Sequence, residues 1–320
     1  MLRLGEAAVV KIVLLGPVEA MADDASSVDI GGVRLRMLLA RLALEGGRPV
    51  LVDTLVDGLW GADSPAEVGN ALQALVSRLR KALRGVATLE SVAGGYRLSV
   101  RDEDVDAHRF EELAARGRRE LAAGRADEAA SLLGAALGLW RGPALADVLD
   151  APFARTVATR LDDVRAAAAE DRFDAALRLG RYAEVLTDLE AAGAESPLSE
   201  RLAGLRMKAL SAAGRQSDAL AVYEETRRRL GEELGVDPSA ELQDIHMALL
   251  RGELTTPTHR PEAAAPSRLP AQPDELRRPG PRTGPGRRSA GLLPARHRRR
   301  LRRRRQDPAL PGGRDPAPGL

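Results

Sequence analysis

A repeat constrains the fold of this chain most tightly. Gly180-Arg181-Tyr182-Ala183-Glu184 and Gly214-Arg215-Gln216-Ser217-Asp218 each open a Leu/Ala-rich segment, and their glycines lie 34 residues apart. That spacing is a period of stacked two-helix units. Gly124-Arg125-Ala126-Asp127-Glu128 is a third copy, 56 residues before Gly180 and so off the period. No single unit can bury its apolar face alone; stacking lets neighbours share a core, with Gly making the turn between helices. Apolar periods predict helices over 106–121, 125–140, 154–179, 182–192, 199–212, 217–230 and 239–250. Residues 106–252 are thus expected to form an all-α repeat domain.

The ends of the chain read differently. Residues 253–320 hold 13 of the 20 prolines, 16 arginines against 6 acidic groups, and none of the eight aromatics. Such a segment cannot bury enough apolar surface to offset its ordering entropy, so disorder is expected there. Residues 1–9 are expected to be a leader. Residues 1–252 carry 32 basic and 40 acidic groups, so the basic character of the chain lies in its tail.

Residues 10–101 predict a separate α+β domain. Lys11 to Val18 is an apolar run ending at Gly16-Pro17, and Val28 to Val33 reads as a second short strand. Leu35, Leu38, Leu39, Leu42 and Leu44 give a helical face, and Asp53 to Trp60 a second, shorter helix stopped by Gly61. The third helix is expected to be capped by Ser64, with Glu67 three residues on as a capping box. Val68, Leu72, Leu75, Val76, Leu79 and Leu83 form its buried stripe. Its other side carries Asn70, Gln73, Ser77, Arg80, Lys81 and Arg84, with Arg78 at the flank. Amides pair with adenine edges, arginine with guanine edges, and either with phosphates. Two strand-like runs, Leu89 to Val92 and Tyr96 to Val100, follow around Gly94-Gly95. A hairpin behind a basic third helix is a winged helix-turn-helix order, which puts that helix in reach of a major groove. The bland alternative is that this basic face is merely solvated surface. The first 100 residues hold 11 basic and 11 acidic groups, so DNA binding would rest on a local patch.

These segments resemble a known family. Asn70-Ala71-Leu72-Gln73 and Val76-Ser77-Arg78-Leu79-Arg80-Lys81-Ala82-Leu83 are similar to the recognition helix of SARP-type antibiotic regulatory proteins. Leu15-Gly16-Pro17-Val18-Glu19 and Leu55-Val56-Asp57-Gly58-Leu59-Trp60-Gly61 resemble the family's opening strand and second helix, and Gly94-Gly95-Tyr96-Arg97-Leu98 its wing. Asp106-Ala107-His108-Arg109-Phe110, Leu139-Trp140-Arg141-Gly142-Pro143-Ala144-Leu145 and Leu234-Gly235-Val236-Asp237-Pro238-Ser239 resemble its bacterial transcriptional activation domain. One position departs: Val92 stands four residues before Tyr96, where the family usually has Arg. The resemblance implies a mainly α protein: an OmpR-type winged helix, a tetratricopeptide-like activation domain, then the tail. It implies that Asn70, Gln73, Ser77, Arg78, Arg80 and Lys81 meet promoter DNA, that the wing adds Arg97, and that Arg34 and Arg36 of the first helix hold the backbone. It further implies a homodimer on direct repeats, contact with RNA polymerase holoenzyme, and control of a secondary-metabolite gene cluster. Leu269-Pro270-Ala271-Gln272-Pro273 resembles the linker that leads to an ATPase domain in longer members. Beyond Leu276 the resemblance ends in Arg, Pro and Gly, as a shifted frame in GC-rich coding DNA would yield.

Several chemistries find no residues. The chain has no cysteine, which removes disulfides, thiolate metal sites and a Cys nucleophile and fits a reducing cytoplasm. His108, His246, His259 and His297 are scattered, without metal-ligand spacing. Lys11, Lys81 and Lys208 precede Ile or Ala, so no phosphate-cradling Gly-Lys-Ser/Thr loop exists. No run approaches a membrane-spanning length. The sequence therefore predicts a cytoplasmic transcriptional activator, not an enzyme, without cofactor or metal. The alternative is a helical-repeat adaptor that binds protein and not DNA.

Overall fold

The structure, a computed structural model, describes residues 11–254 apart from residue 25. The expected leader at 1–9, and the tail at 253–320 with its expected disorder and shifted reading frame, fall outside the described residues, save for the tail's first two positions.

The chain is mainly helical; among the described residues its strands lie in the first hundred positions, with one isolated parallel bridge between Ile12 and Val105. Strands β1 (Lys11–Val13), β2 (Glu19–Met21) and β3 (Ser27–Val28) form an antiparallel sheet in chain order. The sequence reading has no strand at β2, whose three residues are too few to show alternation. Helix α1 (Val33–Ala43) follows, then β4 (Val50–Leu51), α2 (Val52–Trp60) and α3 (Val68–Ala82). The hairpin β5 (Thr88–Val92) and β6 (Gly95–Ser99) completes a second antiparallel sheet of order β4-β6-β5. Gly95 is required there: a Cβ would stand 2.0 Å from the Val50 carbonyl oxygen. Leu38, Leu39 and Leu42 of α1, Leu55 and Leu59 of α2, and Leu72, Leu75 and Leu79 of α3 are buried with Leu89 and Leu98 of the hairpin.

The start of α3 corrects the expected capping box. The helix begins at Val68, with Glu67 at its N-cap and no side-chain cap bond. The Ser64 hydroxyl instead donates to the Gly61 carbonyl at 3.2 Å. It is committed to the end of α2, so residues 64–67 form the connection rather than a first turn.

The repeat domain runs through α4 (Asp106–Ala122), α5 (Ala126–Leu137), α6 (Ala154–Arg178), α7 (Tyr182–Glu195), α8 (Glu200–Ala212), α9 (Gln216–Arg229) and α10 (Ala240–Leu250), each packed on its neighbours. All three Gly-Arg copies make the same turn. Gly124, Gly180 and Gly214 take φ of 79°, 75° and 75°. The following N–H of Arg125, Arg181 or Arg215 donates to the carbonyl five residues back, at 2.9, 2.9 and 2.8 Å. This is the left-handed helix ending that glycine permits without Cβ strain. The first copy is off-period because α6, with 25 residues, is longer than α8 with 13, and because residues 138–153, between α5 and α6, form a long connection with its own task. Across the stack, Asp171 of α6 is buried yet satisfied: Arg118 of α4 and Arg201 of α8 reach it at 2.9 and 2.5 Å.

That connection clasps the N-terminal domain. Arg141, Leu145 and Ala146 donate backbone N–H bonds to the carbonyls of Leu15, Leu14 and Gly16 at 2.8, 2.8 and 3.2 Å. In return the N–H of Val18 donates to Asp147 at 2.8 Å, and those of Leu14 and Leu15 to the Asp106 carboxylate at 2.7 and 3.1 Å. Burial pushes the Asp106 carboxyl up to about 6 against the pull of these backbone N–H groups. Leu145 holds a left-handed backbone, φ 56°, while fully buried. That conformation costs a residue other than glycine about 1–2 kcal/mol and persists because the clasp determines it. One apolar core runs from Ile12 through α1–α3 to Ala175 of α6. The N-terminal domain and α4–α6 therefore share one core, while two further apolar clusters, one around Leu189 and Leu205 and one around Met207 and Tyr223, hold the later repeat helices. No helix among the described residues is long and apolar enough to cross a membrane.

Candidate nucleic-acid interface

Helix α3 buries Leu72, Leu75, Val76 and Leu79 and turns the opposite side to solvent. At 3.6 residues per turn, Asn70, Ala74, Ser77 and Lys81 succeed one another along the crest of that side. Gln73 and Arg84 lie alongside, toward the hairpin, and all six are exposed. The side chains of Gln73, Ser77, Lys81 and Arg84 make no hydrogen bond or ion pair among the described residues. Asn70 donates from Nδ2 to Glu67 at 2.7 Å, which orients its amide and leaves its oxygen open.

Arg78 and Arg80 flank this crest on opposite sides. Arg78 Nε donates to the Ala74 carbonyl at 3.3 Å, so its guanidinium is held near α3 with its outer nitrogens exposed. Arg80 turns the other way. It donates to the Leu89 carbonyl at 2.7 Å and to Ser91 Oγ at 2.8 Å, and lies 6.0 Å from the Tyr96 ring. It joins helix to wing rather than standing free beside Lys81. On the wing, Arg97 Nε donates to Glu90 at 3.1 Å across the hairpin, and Ser99 to the same carboxylate at 2.9 Å. The Arg97 hydrogen bond holds the Glu90 carboxyl below the usual carboxylate range.

The two α1 arginines part company. Arg34 donates to the Leu59 carbonyl and lies 5.9 Å from the Trp60 ring, on the α3 side of the domain. Arg36 pairs with Asp147 at 2.6 Å and donates to the Gly31 carbonyl at 2.5 Å. It is engaged at the junction with the repeat domain, whereas the sequence reading expects it to hold a DNA backbone. Of the nine residues named from the sequence, five share the outward side of α3: Asn70, Gln73, Ser77, Arg78 and Lys81. Ala74, at the centre of the crest, was not among them, because a search for amides and guanidinium groups passes over a methyl.

The bacterial transcriptional activator domain family matches residues 105–250. The chain is 36% identical over 265 residues to regulatory protein DnrI of Streptomyces peucetius, a match that covers 80% of this chain and 97% of DnrI. The chain belongs to the SARP family of transcriptional regulators. A match of that length extends well beyond the activator domain into the N-terminal one. Transcriptional regulator RedD of Streptomyces coelicolor is 40% identical over 75% of this chain and 70% of its own length. Regulatory protein AfsR of Streptomyces griseus is 40% identical over 82% of this chain, which spans only 27% of AfsR. Among solved structures, Mycobacterium tuberculosis EmbR in complex with a low affinity phosphopeptide superposes with a TM-score of 0.73 at 34% identity, covering 77% of this chain and 66% of EmbR. The SARP assignment thus rests on both domains in one order.

Proposed function

We propose that this SARP-family chain is a sequence-specific DNA-binding transcriptional activator. One observation carries the reading: the outward side of α3, beside a wing, bears Gln73, Ser77 and Lys81, with Arg84 in the turn just after the helix, and none of the four has a partner among the described residues. Such a face has hydrogen-bonding capacity that its own fold does not use. Inserted in a major groove, Asn70, Gln73 and Arg78 address base edges while Lys81 and Arg84 neutralise phosphates. Arg97 and Arg34 stand at the two margins. The small number of unpaired cations makes the affinity of one copy modest, which favours two copies side by side on direct repeats.

The repeat domain then has a fixed bearing on the duplex, because the clasp at Asp106 and Asp147 leaves no hinge between it and α3. We assign it the contact with RNA polymerase, and the resemblance to SARP-type antibiotic regulatory proteins makes a secondary-metabolite gene cluster the target. Footprinting on the upstream regions of the neighbouring genes tests the reading. Protection of a pair of direct repeats near a promoter is the expected result. Protection of nothing, together with capture of a protein partner by the repeat domain, would favour the adaptor reading.

A further inference from the structure

The outward side of α3 is not uniformly polar. Toward the wing it carries Gln73, Ser77, Lys81 and Arg84; toward α1 it becomes an apolar shelf. Ala74, at the crest, is exposed, and with Ala71, Leu75, Val33 and Trp60 it borders a hollow of about 420 Å³ that Arg34 and Arg78 also line. Val33 is 43% exposed, although it is a large apolar residue. The Arg78 bond to the Ala74 carbonyl keeps that guanidinium at the rim, so the methyl of Ala74 stays open.

The edges of the four bases offer few matches to such a surface. In the major groove nearly every group is a hydrogen-bond donor or acceptor; the one methyl belongs to thymine. A donor or acceptor set against Ala74 would lose its water and gain nothing. From this we infer that Ala74 is a specificity-determining residue, which reads the 5-methyl group of a thymine in each half-site. The inference rests on the DNA-binding reading above and adds to it which base is selected, and by which atom. Neighbouring polar groups set the register: Asn70 lies one turn before Ala74, and Ser77 and Lys81 follow it on the same crest.

The test is a cycle between protein and DNA. On the footprinted duplex, each thymine is replaced in turn by deoxyuridine, which removes only the methyl, and binding is measured by fluorescence anisotropy. The native chain is expected to lose about three- to tenfold in affinity at one thymine of each half-site, as for one buried methyl group. Ala74→Gly, which removes the partner methyl, should bind thymine and uracil duplexes alike at that position. Ala74→Ser, whose helix propensity is better than that of Gly, should show the same loss of contrast, and thermal melting of both variants checks the fold. The inference is overturned if no thymine-to-uracil change affects the native chain, or if both variants keep its full sensitivity. A native chain that binds no duplex at all overturns the DNA-binding reading itself, which separates the two failures.

Discussion

Arg80 and Leu89 tie the third helix to the wing, through a 2.7 Å bond from the Arg80 guanidinium to the Leu89 carbonyl. A second bond reaches Ser91 Oγ at 2.8 Å, so one side chain joins α3 to the hairpin at two points, in addition to the pairing of β6 with β4 and the buried Leu89 and Leu98. Replacing it by Ala should lower stability by about 1 kcal/mol, since one of the bonds is exposed to water. It should also weaken DNA binding, because the wing loses its bearing on the duplex. Thermal melting and anisotropy of Arg80→Ala and Arg80→Lys check this, with Lys intermediate because it lacks the forked geometry. An unchanged melting temperature in Arg80→Ala would show that the tether does nothing.

Asp106 gives the junction a pH dependence of definite sign. Its carboxyl is raised to about 6 in the folded chain from 3.8, with burial as the first cause. A carboxyl raised by folding contributes stability that is complete below its unfolded value and lost as pH rises through its folded one. The stability of the native chain relative to Asp106→Asn should therefore fall between about pH 4 and pH 6, by up to about 3 kcal/mol. Denaturant titrations at four pH values give the difference directly. The lowered carboxyls Glu90, Glu120 and Glu225 act in the opposite sense but are common to both proteins and cancel. A difference that is flat with pH would contradict the burial of this group.

The core shared by the N-terminal domain and α4–α6 predicts that these parts unfold together. Calorimetry should show them in a single cooperative peak. Asp147→Ala removes both the Arg36 pair and the acceptor of the Val18 N–H, and should shift that peak downward without splitting it. A transition of the N-terminal domain separate from that of α4–α6 would mean that the clasp does not couple them.

Much of this was readable in the residues. The Leu and Val periods placed α1, α3 and the seven repeat helices to within a few positions, because burial of a stripe is written directly in spacing. The three Gly-Arg turns were visible because only glycine takes that backbone without strain. What escaped were partners distant in sequence. Arg36 looks like any exposed helical arginine until residue 147 is brought beside it. Arg80 belongs to the basic face by spacing, yet the hairpin nine residues on claims it. The Ser64 box fits the capping pattern, but its hydroxyl is taken by Gly61. Ala74 carries no signal of its own; its meaning comes from position alone.

Lys81 should account for one phosphate contact. Lys81→Ala is expected to weaken binding to all sequences about equally and to reduce the slope of log affinity against log salt by about 0.9. Arg227→Ala, on α9 and paired with Glu224, should leave the slope unchanged. A lower slope for Arg227→Ala and none for Lys81→Ala would move the duplex to the repeat domain.

The most direct trial is a single charge placed on the crest of α3. Ser77 is exposed and its side chain has no partner among the described residues, so Ser77→Glu should fold and melt like the native chain. On the footprinted duplex its affinity should drop about 100-fold, from a carboxylate set against phosphates and acceptor-rich base edges. Native-like affinity in a folded Ser77→Glu would contradict the claim that this side of the third helix meets DNA.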